Sequence, residues 1–210
     1  MLRPGERRLV YEFSPQQAFD YFWEHLYESG RWELHTRELI DEILRPGDLF
    51  VDIGAWIGPV TLWALGRGAS VIAIEPDPVA LPELRRRVPS SVEIWEGAVA
   101  VQSGFAGLTT NFGLELGKSV SRLTEVEEGE VQVRTWTLPE ILGDRVPALV
   151  KVDIEGYEME LLPAIAPYLA AAEVPLQVAM HGNLPERDWF SGYREVAMPE
   201  NPHGTVVARP

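Results

Sequence analysis

Short apolar blocks recur along this chain, each closed by a turn or an acid. Leu49–Ile53, Ser70–Ile74, Val92–Trp95, Ala148–Val152 and Leu176–Met180 are too short for helices and are bounded by Gly, Pro or charged residues. That form marks buried strands. Between them lie helical patterns. Ser14-Pro15-Gln16-Gln17 has the form of a helix start, with Ser14 as cap and Pro15 in the first turn. The helix it opens is predicted to reach Tyr27 and carries a thick aromatic face of Phe19, Phe22, Trp23, Leu26 and Tyr27. Further helices are expected at Thr36–Leu44, Val60–Gly66, from Pro76-Asp77-Pro78 to Val88, at Leu138–Leu142 behind a Thr137 cap, and at Tyr157–Leu169. Tyr193–Ala197 and Thr205–Ala208 form a candidate closing antiparallel pair. Residues 98–135 read as β-rich but irregular, and alternation is clear only at Val131–Thr135. The density of Gly104, Gly107, Gly113 and Gly117 predicts that residues 103–130 are mobile or irregular near the mouth of the site, more fully ordered when substrate binds. Alternating strand and helix predicts an α/β fold, a mainly parallel sheet with helices on both faces. The expected arrangement is one domain, with a helical segment over residues 1–47 and the α/β core over residues 48–210.

The most informative stretch is strand, glycine turn, helix, strand and acid. Asp52 is the one charge in the first apolar run, Gly54 and Gly58 bracket the turn around Ala55, and Pro59 suits an early helical position. Glu75 follows the second run, about twenty residues after the glycines, where a nucleotide-binding βαβ unit places the acid that holds ribose hydroxyls. A pyrophosphate would want G-x-G-x-x-G, whereas this turn carries Trp56 in place of the middle glycine and has no Lys or Arg beside it. An anionic strand end suits a positively charged ligand instead. S-adenosylmethionine (SAM) carries an ammonium, a sulfonium and a ribose, and no phosphate. An ordinary α/β turn with a structural Asp is the plainer reading. In sheets of this kind ligands sit outside the carboxyl ends of the strands. Asp52, Glu75, Glu96, Asp153 and His181 all fall at such ends.

Charge narrows the partners. Lys and Arg number 18 against 32 Asp and Glu, a net charge of −14, which disfavours nucleic acid and anionic membrane as partners. Arg85-Arg86-Arg87 is a local basic run, best read as a solvated helix end. The chain has no cysteine, so disulfides, thiolate nucleophiles and Cys-based zinc sites are excluded. With 46% hydrophobic residues over 210 positions the chain can build a good core. No signal-type apolar region opens the sequence and no run reaches membrane-spanning length, so a cytoplasmic protein is expected, with a homo-oligomer left open.

VDIGAWIGPVTLWA, VIAIEPDP and LVKVDIEGYEMELL together resemble the FkbM family of SAM-dependent methyltransferases, over roughly Trp32 to His181. VKVDIEGYE is the most specific of these motifs. The resemblance implies the Rossmann-like class I methyltransferase fold with a reversed last strand, and methylation of hydroxyl oxygens on sugars, glycans, lipids or natural products. By position it implies that Asp52, Gly54, Ala55 and Gly58 hold the methionine end of SAM, that Glu75 with Pro76 holds the ribose, and that Glu96, Gly97 and Ala98 lie near the adenine. Glu33 would close over the cofactor, and Asp153 and Glu155 would face the reaction centre. The sequence departs from the family at Trp56, where Asn is usual, and at Pro139, where Asp is usual.

A hydroxyl acceptor must lose its proton, which favours a nearby base. Asp153 and His181 are the candidates, with Glu155 beside them. Asp153 reads equally as a SAM-facing or helix-capping carboxylate, Glu155 as a residue orienting the helix at Tyr157, and His181 as a structural loop histidine. The three could also ligate Mg²⁺ or another divalent ion, though their spacing does not demand one. His25, His35 and His203 carry no motif. Two rival readings remain: an NAD(P)-dependent Rossmann oxidoreductase, opposed by the missing glycine and by the lack of a Tyr-x-x-x-Lys pair around Lys118 or Lys151, and a non-catalytic SAM-binding module.

Overall fold

The computed structural model describes residues 14–30, 32–112, 119–126, 128–198 and 204–210. Gln17 N–H donates to Ser14 Oγ at 3.3 Å while Ser14 N–H donates to Gln17 Oε1 at 2.9 Å, so a capping box opens helix α1 (Pro15–Tyr21). The chain continues as a π-helical turn, Phe22–Tyr27, rather than as the single α-helix expected. Phe22 and Trp23 are buried there against Trp32 and Trp56, and the wider turn re-aims these rings. Helix α2 (Leu34–Ile43) starts two residues earlier than its sequence pattern suggests, behind Glu33 in left-handed conformation.

The core alternates strand and helix: β1 (Leu49–Ile53), α3 (Pro59–Gly66), β2 (Ser70–Glu75), α4 (Leu81–Arg87) and β3 (Glu93–Glu96). After the short β4 (Ala98–Val99) come β5 (Gly104–Phe112), β6 (Ser119–Thr124), β7 (Val131–Trp136) and α5 (Leu138–Leu142). The last third supplies β8 (Leu149–Val152), α6 (Glu158–Ala171), β9 (Leu176–Ala179), β10 (Glu195–Ala197) and β11 (Thr205–Arg209). Among the described residues seven strands form one sheet in the order β10-β11-β9-β8-β1-β2-β3. β3, β2, β1, β8 and β9 run parallel, and β11 lies antiparallel between β9 and β10, which is the reversed last strand.

Each central strand is buried on both faces, which is why it reads as an apolar run. Val51, Ile53, Ile72 and Ile74 pack towards α5 and α6, while Phe50, Val71 and Ala73 pack towards α2, α3 and α4. Pro163 and Pro167 lie on the exposed side of helix α6, where water can meet the carbonyls of Met159 and Pro163 that the proline nitrogens leave unpaired. Its other face buries Leu161, Leu162, Ile165 and Leu169. No described helix is long and apolar enough to cross a membrane.

Among its described residues, the region expected to be irregular holds a second sheet of four strands, β4-β7-β5-β6. β5 pairs antiparallel with both β6 and β7. Gly107 is there for close approach: a Cβ would come within 2.7 Å of Thr124 Oγ1 and 2.8 Å of the Gly129 Cα. Gly113 and Gly117 lie outside the described residues.

Candidate active site

A cavity of about 570 Å³ opens at the carboxyl ends of β1, β2, β8 and β9. Its floor is the turn after β1. Gly54 N–H and Ala55 N–H both donate to Ile74 O at 3.0 Å, which carries the main chain across from β1 to β2. Gly54 has φ +78°, and a Cβ there would fall on the carbonyl of Asp153, so only glycine lets the two strand ends close. Gly58, at φ +91°, ends the turn; a Cβ would press on Leu84 at 2.8 Å. Trp56 sits between them at φ +50°. Its ring is held edge-on by Phe22 at 4.7 Å and by Phe19 at 6.1 Å.

Glu75 is 5% exposed and lies in the cavity wall. Trp56 N–H donates to its Oε2 at 2.7 Å and Asp77 N–H to its Oε1 at 2.8 Å. Burial still wins over these donors and pushes the carboxyl up to about 7. The neighbouring wall is Pro76, Gly97, Ala98 and Val99, with Leu108 of β5 and Leu123 of β6 closing over from the second sheet.

Asp153 begins where β8 ends, and its N–H donates to Ile53 O at 3.0 Å. Its carboxylate is 23% exposed and enters the cavity beside Glu155 and His181, which follow the ends of the adjacent strands β8 and β9. His181 Nε2 lies 3.7 Å from Asp153 Oδ1 and 3.5 Å from Glu155 Oε2, while Nδ1 is 3.1 Å from Oε1 of the fully buried Glu158. Burial alone would lower the imidazole. The Glu158 hydrogen bond and the charges of Asp153 and Glu155 outweigh it and raise His181 to about 9. That favours the protonated ring unless a cation takes the proton's place at Nε2, and it makes His181 the weaker candidate for the base. Burial also pushes Glu155 up, opposed by the His181 charge.

Ten of the expected residues meet in this wall: Glu33, Gly54, Ala55, Glu75, Pro76, Gly97, Ala98, Asp153, Glu155 and His181. Three do not, and each has a local reason. Asp52 is 0% exposed beneath the turn, accepting from Thr61 Oγ1 at 2.7 Å and pairing with Lys151 Nζ at 3.2 Å. Gly58 is spent as the cap of α3, and Glu96 turns outwards to pair with Arg85. Nor does Glu155 cap α6; Glu158 accepts from Ile154 N–H at 3.1 Å instead.

Sequence reasoning missed Lys151. It lies on β8 opposite Asp52 on β1, donates to Gly54 O at 2.9 Å, and stands 3.6 Å from Asp153 Oδ2. Burial works against its charge, but Asp52, Asp153 and Glu33 overcome that and raise its pKa. The signal was present, since it is the only charge inside an otherwise apolar strand.

The sequence profile described as "Methyltransferase FkbM domain" matches residues 52–188, well over half of the chain. The chain belongs to the FkbM methyltransferase family. The strand order and reversed last strand agree with the class I methyltransferase fold. Among solved structures, methyltransferase FkbM from Methylobacillus flagellatus KT aligns with a TM-score of 0.52 and 15% identity, over 83% of this chain and 50% of that one. This FkbM chain thus spans half the length of that relative. A TehB-like SAM-dependent methyltransferase from Corynebacterium glutamicum aligns with a TM-score of 0.53 and 14% identity, over 93% of this chain and 97% of the other. No curated protein compared with it matches significantly.

Proposed function

We propose that this protein methylates a hydroxyl oxygen on a sugar, glycan or other small natural product, using SAM, and that residues 1–210 act as one methyltransferase domain. The observation that carries the reading is the convergence of Glu75, the Gly54 turn and the Asp153–His181 cluster on one cavity. The cavity suits SAM. Gly54 leaves a cradle that a Cβ would fill, the Glu75 oxygens are aimed by two main-chain donors, and the anionic groups Glu33 and Asp153 line the wall.

SAM, when bound, supplies a methyl group on a positively charged sulfur. Glu75 accepts from the ribose hydroxyls through the lone pairs that its backbone donors leave free. Gly97 and Ala98, with Val99 and Leu108, flank the adenine. Glu33 and Asp153 face the positive methionine end, and Lys151 meets its carboxylate. Asp52 acts at one remove: it fixes Lys151, which in turn ties down Gly54 O. Asp153 is the carboxylate that meets the acceptor hydroxyl and accepts its proton. His181, facing both carboxylates, holds Asp153 and Glu155 in place rather than moving a proton itself. With the acceptor aligned and water excluded, positioning supplies much of the remaining rate.

Calorimetry with SAM and with NADH tests the cofactor. One-to-one SAM binding with no response to NADH is expected, and the reverse pattern overturns the reading in favour of a dinucleotide enzyme. Labelled methyl transfer to a panel of sugars and glycosides then tests the acceptor class.

A further inference from the structure

We propose that Asp153, Glu155 and His181 form a binding site for one divalent transition-metal ion of the Mn²⁺ or Zn²⁺ type, at the acceptor end of the cavity. The role given to the ion deepens the methyl-transfer reading and rests on it; its binding does not.

One ligand atom from each of the three side chains can be chosen so that all lie within 4.8 Å of one another. The approaches of His181 Nε2 to Glu155 and Asp153, 3.5 and 3.7 Å, are long for hydrogen bonds. They are close to the separations that shared coordination imposes: bonds of about 2.0–2.2 Å at angles of about 110–120° put ligand atoms roughly 3.3–3.8 Å apart.

The second observation is how His181 is held. Its Nδ1 faces Glu158 Oε1, and Glu158 is fully buried and further fixed by Ile154 N–H. A carboxylate on one ring nitrogen is the arrangement that aims the other at a metal. The same bond leaves Nε2 pointing between the two remaining carboxylates. The third is the backbone. Glu155 adopts φ +55°, a left-handed conformation costly for a residue with a Cβ, and Gly156 follows at φ +113°. That turn brings the Glu155 carboxylate back towards His181 instead of along α6. All three side chains are part-exposed to the cavity, so an ion there keeps open positions for a substrate oxygen.

The donor set selects the ion. Mg²⁺ prefers six oxygens, whereas imidazole with carboxylates suits Mn²⁺, Fe²⁺ or Zn²⁺. An ion at this point would hold the acceptor hydroxyl and lower its pKa.

The test is a Mn²⁺ titration of the full chain after chelator treatment, with free Mn²⁺ read by electron paramagnetic resonance and Zn²⁺ added as competitor. One ion per chain is expected, displaced by Zn²⁺. Asp153→Asn and Glu155→Gln should each weaken Mn²⁺ at least tenfold. Glu158→Gln, which reaches the ion only through His181, should weaken it about 10–100-fold. Circular dichroism confirms that each variant is folded, and Glu155→Gln, at a part-exposed position, keeps the test open if Glu158→Gln fails to fold. Absence of stoichiometric binding, or equal affinity in every folded variant, overturns the inference. SAM calorimetry on the same samples separates the two readings. SAM binding without Mn²⁺ sinks only the metal site, and Mn²⁺ binding without SAM sinks only the methyl-transfer reading.

Discussion

Glu75 holds two main-chain donors and is still pushed up to about 7, because its burial costs the carboxylate more than the donors return. The sign of the linkage follows. A folded pKa above the ordinary 4.5 favours the neutral acid, so the stability Glu75 contributes is present below about 4.5 and is lost as pH rises through about 7. Ribose hydroxyls donate, so SAM wants the ionised form. Affinity for SAM should therefore rise between pH 6 and pH 8 and then level off. Glu75→Gln should flatten that profile and weaken binding by about 1–3 kcal/mol. A wild-type profile in the variant would take Glu75 off the ribose. Asp153→Asn is expected to keep the fold and much of the SAM affinity while losing at least about a hundredfold in rate. With an ion held at Asp153, chelator should produce the same loss in the wild type. Turnover unchanged on a responsive acceptor would return Asp153 to a structural role. At this scale the sequence was readable where a residue's position alone decides its place, as for Gly54 and Glu75. It was not readable for Asp52, whose partner Lys151 is set by the register of neighbouring strands nearly a hundred residues apart.

The elements divide the same way. β1, β2, β8 and β9 are buried on both faces, so apolar runs announced them and the ends that carry Asp52, Glu75, Asp153 and His181. The second sheet gave a weaker signal. β7 alternates with exposed residues at Val131, Gln132 and Arg134, and β5 opens on glycine and carries another at Gly107. Its strands are specified by pairing with each other, which no local window contains. The π-helical turn at Phe22–Tyr27 was equally silent, because it is selected by where its aromatic rings find room. Strands β5 and β6, found where a mobile or irregular segment was expected, change what hydrogen exchange should show. β5 has partners on both sides, whereas β6 is an edge of its sheet. In the ligand-free protein, amides at 104–108 that bond to β7 should exchange far more slowly than the exposed loop at 182–184. Equal rates in the two segments would restore the mobile reading.

Across the whole molecule, the cavity is where separately packed parts meet. Trp32 and Glu33 bring in the N-terminal helical segment, Leu108 and Leu123 the second sheet, and Gly54, Glu75, Asp153 and His181 the strand ends of the main sheet. A ligand seated there touches all three parts and binds only when they are assembled, so its binding free energy adds to global stability. At a concentration a hundred times its dissociation constant, a ligand specific for the folded state adds about 2.7 kcal/mol. For a chain of this length each kcal/mol moves the midpoint by roughly 2–4 °C, so SAM should raise the melting temperature by about 5–10 °C. NADH at the same concentration should leave it unmoved. Gly54→Ala is the sharpest control, because its Cβ would fall on the Asp153 carbonyl and force the β1 and β8 ends apart at the cavity floor. That variant should start from a lower midpoint and lose the SAM shift. A full shift in Gly54→Ala would mean that the turn yields without loss of the site, and that the ligand is held by the walls above it rather than by the closed floor.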